Sequence, residues 1–216
     1  MFRGGLDHIG VYSGTAPRHA PKLKWQSATA GQVISSPAVA HGLVHVGSTD
    51  HNLYAINLET GKANWSSGPR VSISSSPAVS AGLVYFTCYD GYFYALDAET
   101  GRLKWKFETG GERRYSHRNP HRLHPSGETS PDSWHFYLSS PGVFDGAVYF
   151  GSVDNYSCPL DAATGSLKWK FRTGEGVHAS TAISCMWVRG TACCMRLRRP
   201  PEGKMAFSKL ESTPGR

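Results

Sequence analysis

The stretch SSPAVSAGLVYFTCYDGYFYALDAETGRLKW, Ser75 to Trp105, decides the fold. After a serine pair and a proline it runs through Leu83-Val84-Tyr85-Phe86, turns at Asp90-Gly91, returns through Tyr92-Phe93-Tyr94-Ala95-Leu96, turns again at Glu99-Thr100-Gly101-Arg102 and ends on Trp105. Short runs rich in β-branched and aromatic residues between Gly, Asp and Ser clusters read as strands. Asp and Gly at the first turn tolerate the positive φ that a two-residue hairpin loop needs, and Gly101 suits the left-handed position of the second.

The same parts recur on both sides. Trp25, Trp65 and Trp105 are 40 residues apart, and Trp169 follows after 64, an interval lengthened by an insertion of 24. Ser-Ser-Pro keeps this register at Pro37, Pro77 and Pro141, and Thr181 holds the place 40 residues further on. The upstream copy reads Leu43-Val44-His45-Val46, Asp50-His51, Asn52 to Ile56 and Glu59-Thr60-Gly61-Lys62. The downstream copy has Ala147-Val148-Tyr149-Phe150, Asp154-Asn155 and Ala163-Thr164-Gly165-Ser166. Several short strands per repeat, joined by hairpins, make a meandering antiparallel sheet, and tandem sheets of this kind are propeller blades. Period-2 patterning and the density of turn residues exclude an α-solenoid. The expected fold is all-β, with antiparallel four-stranded blades of an incomplete β-propeller holding about three full repeats and fragments. Propellers close with roughly four to eight blades, so open blade edges and self-association through them are expected.

The segment Ala95-Leu96-Asp97-Ala98-Glu99-Thr100-Gly101-Arg102-Leu103-Lys104-Trp105 resembles the tryptophan-docking motif of the pyrroloquinoline-quinone (PQQ) type propeller repeat, Ala-x-Asp-x-x-x-Gly-Lys-x-x-Trp. The flanking copies depart from it. Asn57 stands in the aspartate place of the first, and Pro159 and Ser166 replace alanine and lysine in the third. The resemblance spans residues 21 to 184. It implies that Trp65, Trp105 and Trp169 dock on an adjoining blade, where Gly61, Gly101 and Gly165 let the rings approach. An indole buries a large flat apolar surface, and a glycine turn offers no Cβ to obstruct it. Met1-Phe2-Arg3-Gly4 resembles the family's lead-in, which usually follows a signal peptide within a longer chain. The domain reading is a lead-in over 1–24, repeats over 25–184 with an insertion at 112–136, and a divergent basic tail over 185–216.

Family resemblance implies three functions. One is a binding or scaffold module, or a fragment of a larger propeller, like the repeat proteins of bacterial envelopes, with a protein or small-molecule ligand at the propeller face. Another is a quinoprotein dehydrogenase fragment, which needs a full ring around PQQ and calcium. The third is a calcium-dependent hydrolase of lactonase or esterase type, a chemistry found on other propellers. Fold alone does not choose among them. No Gly-x-Ser-x-Gly elbow, P-loop or His-Glu-x-x-His is present.

Two groups of residues carry metal-binding chemistry. The insertion holds His117, His121, His124 and Asp132, and imidazoles with a carboxylate suit zinc or iron; the competing reading is a solvated, Pro-rich loop over the propeller mouth. Asp50, Asp90 and Asp154 would suit calcium if they converged on the axis, but turn formation explains them without a metal and is the favoured reading. Cys193-Cys194 resembles the vicinal pair of PQQ-dependent alcohol dehydrogenases, but it stands outside any repeat motif and receives no role. Cys88 and Cys158 sit in strand patterns as small buried hydrophobes.

The net charge of +7 raises the question of a nucleic-acid partner. Seven Arg or Lys and two Glu lie in residues 185–216, so the repeats are nearly neutral and make no charge-based case for nucleic acid. No apolar run is long enough to span a membrane, and residues 1–5 contain no signal-peptide stretch, so the chain as written is expected in the compartment of its synthesis, whereas family relatives are often periplasmic or secreted.

The tail has its own explanation. Read from the third base of each codon, residues 184–196 permit Val, His/Tyr, Val, Gly, Ser, x, Asp, x, x, Leu, His/Tyr, Ala, which parallels Val44 to Ala55 over 12 places. We predict that the coding DNA, read in that frame, spells a propeller repeat displaced by a small deletion near Ser184. A third-base frame without the repeat would dispose of the idea.

Overall fold

The computed structural model describes residues 22–109, 139–152 and 156–172, together with the backbone of four later strands, 177–180, 186–188, 191–198 and 206–210. His117, His121, His124, Asp132 and Asp154 lie outside the described residues.

The strands form four antiparallel four-stranded sheets. Blade 1 is β1 (Ala38–Ala40), β2 (Leu43–Gly47), β3 (Leu53–Asn57) and β4 (Ala63–Ser67). Blade 2 is β5 (Ala78–Ser80), β6 (Leu83–Thr87), β7 (Tyr92–Asp97) and β8 (Leu103–Glu108). Blade 3 is β9 (Gly142–Phe144), β10 (Ala147–Ser152), β11 (Tyr156–Asp161) and β12 (Phe171–Arg172). The fourth sheet is β13 (Val177–Ser180), β14 (Met186–Val188), β15 (Thr191–Arg198) and β16 (Ala206–Leu210). Strands neighbouring in sequence are neighbours in space, the plain meander that consecutive hairpins build. This is an all-β arrangement of incomplete propeller blades, without helices among the described residues.

The tail is part of this architecture, because β14, β15 and β16 all come from it. Met195, Arg196, Leu197 and Arg198 alternate apolar with basic, the period-2 pattern of a strand.

Register repeats with the sequence. Ala38 pairs with His45 and Ala78 with Tyr85, and Ala55 pairs with Trp65 and Ala95 with Trp105. The two-residue hairpin loops lie earlier than the sequence suggests. His41-Gly42, Ala81-Gly82 and Asp145-Gly146 join the first and second strands with φ of 50° and 72°, 48° and 75°, and 47° and 67°. Positive φ at both central residues is the type I′ signature, whose twist matches that of the flanking strands. Asp50-His51 instead belongs to a longer loop closed by Ser48 N–H donating to Asn52 O at 3.0 Å, with the positive φ on His51 at 80°.

Apolar surface is buried between blades. Blades 1 and 2 enclose Leu53, Ile73, Val84, Phe86, Cys88 and Leu96, with Trp65 packed against them. Blades 2 and 3 enclose Tyr85, Phe93, Val148, Phe150 and Leu160, with Trp105 alongside. Phe93 and Phe150 face one another across this second interface at 4.4 Å between ring centroids. Each blade therefore shields its neighbour's apolar face, and neither face can be dry alone.

Candidate functional site

What repeats among the described residues is a joint between blades. A Cβ placed on Gly101 would stand 2.7 Å from Trp65 Cδ2, and one on Gly165 2.6 Å from Trp105 Cδ2. Gly61 meets Trp25 in the same way at 2.7 Å. All three glycines have φ near 70°, a left-handed conformation that L side chains seldom adopt. Each indole N–H donates to a carbonyl three residues before that glycine: Trp25 to Leu58 O at 2.8 Å, Trp65 to Ala98 O at 3.1 Å and Trp105 to Ala162 O at 3.2 Å. Trp169 lies outside the strands, between the isolated Leu160–Leu167 bridge and Phe171–Arg172, and so departs from the register of Trp65 and Trp105.

The turn that presents each glycine is built by one side chain. Asp97 Oδ1 accepts from Glu99 N, Thr100 N and Thr100 Oγ1, and Asp161 Oδ1 accepts the corresponding three bonds. Asn57 Oδ1 accepts the same three, so this departure from the motif costs nothing in the turn, which needs only an acceptor. Hydrogen bonds from Thr100 hold the Asp97 carboxyl below the ordinary carboxylate value, with Lys104 adding to them. Pro159, which has no N–H to donate, lies on β11, beside which the outer strand contracts to Phe171–Arg172 and an isolated Leu160–Leu167 bridge.

A second set of contacts uses Ser-Ser-Pro, a pattern that sequence reading employs only as a register mark. The first serine clamps the second strand of its own blade. Ser35 Oγ donates to Gly47 O and accepts from Gly47 N, Ser75 does the same with Thr87, and Ser139 Oγ accepts from Gly151 N. The second serine bridges blades: Ser36 N donates to Ser76 Oγ at 2.9 Å, and Ser76 N donates to Ser140 Oγ at 3.1 Å. The recurrence at 40 residues, lengthened to 64 across the insertion, was the signal available in the sequence.

The turn aspartates are occupied by their own loops. Asp50 Oδ2 accepts from Tyr54 Oη at 2.7 Å and Ala30 N at 2.9 Å, while Oδ1 accepts from Asn52 N. Desolvation raises the Asp50 carboxyl, but the bonds from Tyr54, Asn52 and Ala30 outweigh it and leave it below the ordinary value. Asp90 accepts from Tyr92 N and, through a short bond, from Tyr94 Oη. Burial, then the Asp90 contact, pushes the Tyr94 hydroxyl well up. Among the described residues no three His, Cys, Asp or Glu side chains come together that could hold a metal, and Asp154, which would complete the set with Asp50 and Asp90, lies outside the described residues. Burial likewise raises the Cys88 thiol, whose Sγ lies 3.4 Å from Val71 O. Cys193 and Cys194 are ladder residues of β15, opposite Met186 and Leu210.

One joint is irregular. In blade 2, Tyr85 Oη donates to Ala162 O at 3.0 Å, the same carbonyl that accepts from Trp105. Blade 1 has His45 there. Its ring lies 5.8 Å from that of Trp65 at 48°, almost as Tyr85 lies 5.9 Å from Trp105 at 46°. The imidazole is fully buried, lacks the reach of a phenol, and has no hydrogen-bond partner for either ring nitrogen among the described residues. Burial, with His41 contributing, lowers its pKa to about 4.

A run of antiparallel blades tied by indole-on-glycine joints defines a propeller repeat protein. Residues 19–130 match the sequence family described as outer membrane protein assembly factor BamB, and the chain belongs to this PQQ-like β-propeller repeat family. No curated protein matches it. Among solved structures it is similar to BamB from Moraxella catarrhalis, at 17% identity and a TM-score of 0.56, covering 84% of this chain and 51% of that one. It thus spans about half the length of that relative. It is similar to the computationally designed Ika4 protein at 13% identity and a TM-score of 0.57, covering 89% of this chain and 100% of that one. It is also similar to quinohemoprotein alcohol dehydrogenase from Comamonas testosteroni, at 25% identity and a TM-score of 0.52, covering 70% of this chain and 23% of that one. No helix among the described residues is long and apolar enough to cross a membrane.

Two outcomes are expected from this geometry. Gly101→Ala adds a methyl group 2.7 Å from the Trp65 ring at a left-handed φ, and should cost about 2–4 kcal/mol in urea unfolding. Gly82→Ala, at φ +75° with nothing within 4 Å, should cost only about 1 kcal/mol. Equal losses would remove the joint from the explanation. For His45, the folded protein disfavours the protonated ring, so its contribution is intact above pH 6.5 and falls, by about 3 kcal/mol in all, as pH drops towards 4. His45→Tyr, able to donate to Ala98 O, should flatten that part of the stability–pH curve and raise stability at pH 7 by about 1–2 kcal/mol.

Proposed function

We propose that the chain is a non-catalytic binding module of the assembly-factor kind, in which repeats 25–184 form a rigid scaffold for a protein partner. Its single strongest support is how the recurring polar side chains are used: Ser35, Ser75, Ser76, Asp50, Asp90, Asp97 and Asp161 all engage in turn, strand or inter-blade hydrogen bonds. Groups committed to holding the scaffold are not free to serve as acids, bases or ligands. The tryptophans Trp65, Trp105 and Trp169, with Gly61, Gly101 and Gly165, serve in this reading as docking residues rather than ligand stackers. Membership of a family described as an outer membrane protein assembly factor favours a polypeptide as the partner class.

The test is direct. Purified chain is titrated into an unfolded outer-membrane β-barrel protein and binding is followed by fluorescence anisotropy, alongside PQQ-plus-calcium reconstitution read by absorbance and lactone or ester hydrolysis assayed with and without a chelator. Saturable binding of the unfolded protein, with neither cofactor spectrum nor turnover, is expected. A reconstituted quinone spectrum would establish the dehydrogenase reading instead, and chelator-sensitive hydrolysis the lactonase or esterase one.

A further inference from the structure

The seams that join blades 1, 2 and 3 share one plan but not one strength. Across the seam of blades 2 and 3, Tyr85 Oη donates to Ala162 O and Thr87 Oγ1 donates to Ser139 O, each at 3.0 Å. Phe93 meets Phe150 there at 4.4 Å between centroids and stacks on Trp105 at 5.8 Å, with Phe107 set edge-on to Phe150. At the seam of blades 1 and 2, 40 residues upstream, the places of Tyr85, Thr87, Phe93 and Phe107 hold His45, Gly47, Leu53 and Ser67. Gly47 has no side chain to donate, Leu53 and Ser67 supply no ring, and neither nitrogen of His45 has a partner among the described residues. Aromatic pairs and buried hydrogen bonds both strengthen an interface beyond the area it covers, so the first seam is the weaker one. Besides Trp65 on Gly101, it is tied by Ser36 N to Ser76 Oγ, Ile73 N to Ser48 O and Ser72 Oγ to Thr49 O.

His45 also makes this seam sensitive to protons. Its imidazole is fully buried. Next to it β1 sets Ala38, β3 sets Ala55 and β4 sets Trp65, none of which carries charge. Blade 2 brings up the turn of Asp97, whose carboxyl is engaged by Thr100 and Lys104. Farther along the same interface lie the Cys88 thiol and Tyr94, whose hydroxyl is held by Asp90. His41, on the hairpin loop between β1 and β2, adds the repulsion of a second cation. No carboxylate among these groups bonds to the His45 ring. A proton there would create a buried charge without a counter-ion, so protonation favours a state in which blade 1 has moved off blade 2 and the ring is wet. Tyr85, at the other seam, stays neutral throughout, because burial, with Asp161 adding to it, pushes its phenol up to about 12.

We propose that the seam of blades 1 and 2 is an acid-operated hinge, at which protonation of His45 lets blade 1 part from blade 2 while blades 2 and 3 stay joined. The hinge goes beyond the scaffold reading and does not depend on what the scaffold binds. Cooperative local opening takes the least-tied unit of a structure first, and here that unit is blade 1. The parted seam bares Leu53, Ile73, Val84 and Phe86. Because the closed seam disfavours the charged ring, it is intact above pH 6.5 and weakens as pH falls towards about 4, with opening favoured by up to about 300-fold across that range. Asp50, Asp97 and Asp161, all held below the ordinary carboxylate value of 3.8, titrate beneath this window and leave it to His45.

Two native cysteines report on the two seams separately. Cys88 is buried in the cluster between blades 1 and 2, and Cys158 in the cluster between blades 2 and 3. The full chain is labelled with a dipyridyl disulfide, which reacts with thiols in acid, and modified peptides are quantified by mass spectrometry, with each rate divided by that of a small-molecule thiol. Between about pH 7 and about pH 4.5, Cys88 labelling should rise about 50-fold and Cys158 labelling less than about threefold. His45→Tyr and His45→Phe, neither of which can take up a proton, should each hold the Cys88 rise below about threefold, with circular dichroism confirming that the variant is folded. A wild-type Cys88 rise below about tenfold, a parallel rise at Cys158 as in global unfolding, or an undiminished rise in a folded variant would overturn the hinge.

Discussion

A flat indole laid on a glycine of the next blade is the contact on which the rest of this molecule depends. An isolated antiparallel sheet with two apolar faces has no stable place in water; it needs a neighbour on each side at a fixed distance. Trp65 on Gly101 and Trp105 on Gly165 set that distance, because the ring can reach backbone only where a Cβ is missing and the turn is left-handed. The carbonyls of Ala98 and Ala162 then receive the indole N–H and fix its orientation. The joint is indifferent to what lies elsewhere in the repeat. Blade 3 follows blade 2 after an insertion, and the Trp105–Gly165 geometry is nevertheless that of Trp65–Gly101.

Polar chemistry follows the same logic. A propeller must satisfy buried backbone groups at every blade boundary, and this chain does so with small side chains at one period: serines that clamp a strand or bridge to the next blade, and an Asp or Asn that builds each glycine turn. These are residue types that would draw attention as nucleophiles or metal ligands if considered singly. Their bonds show them employed by the scaffold, which is why the proposed function is recognition by a shaped surface rather than bond-making at a centre.

Much of this was legible beforehand, for identifiable reasons. Strands at Leu83–Thr87 and Tyr92–Asp97 follow from β-branched and aromatic runs, and the left-handed Gly61, Gly101 and Gly165 from their turns. The hairpin loops were harder: His41-Gly42 and Ala81-Gly82 lack the Asn-Gly or Asp-Gly signal, and His41 and Ala81 accept a positive φ because the paired strands on both sides impose it. Asn57 looked like a flaw in the motif and is none, since a carbonyl oxygen serves the turn as well as a carboxylate. The strands of residues 186–210 lie where the repeat pattern has vanished, and only their alternation survives as a signal.

The sequence by itself determined the strands, the turns with glycine at positive φ and the 40-residue register, because periodicity and backbone preference act over a few neighbouring residues. Tertiary structure alone decided which indole meets which glycine, that the second serine of each pair reaches the next blade, and that His45 is buried beside Trp65 without the bond Tyr85 makes. Those outcomes depend on atoms brought together from about a whole repeat away, and whether a given polar atom finds a partner there is a matter of reach in three dimensions that no local pattern encodes.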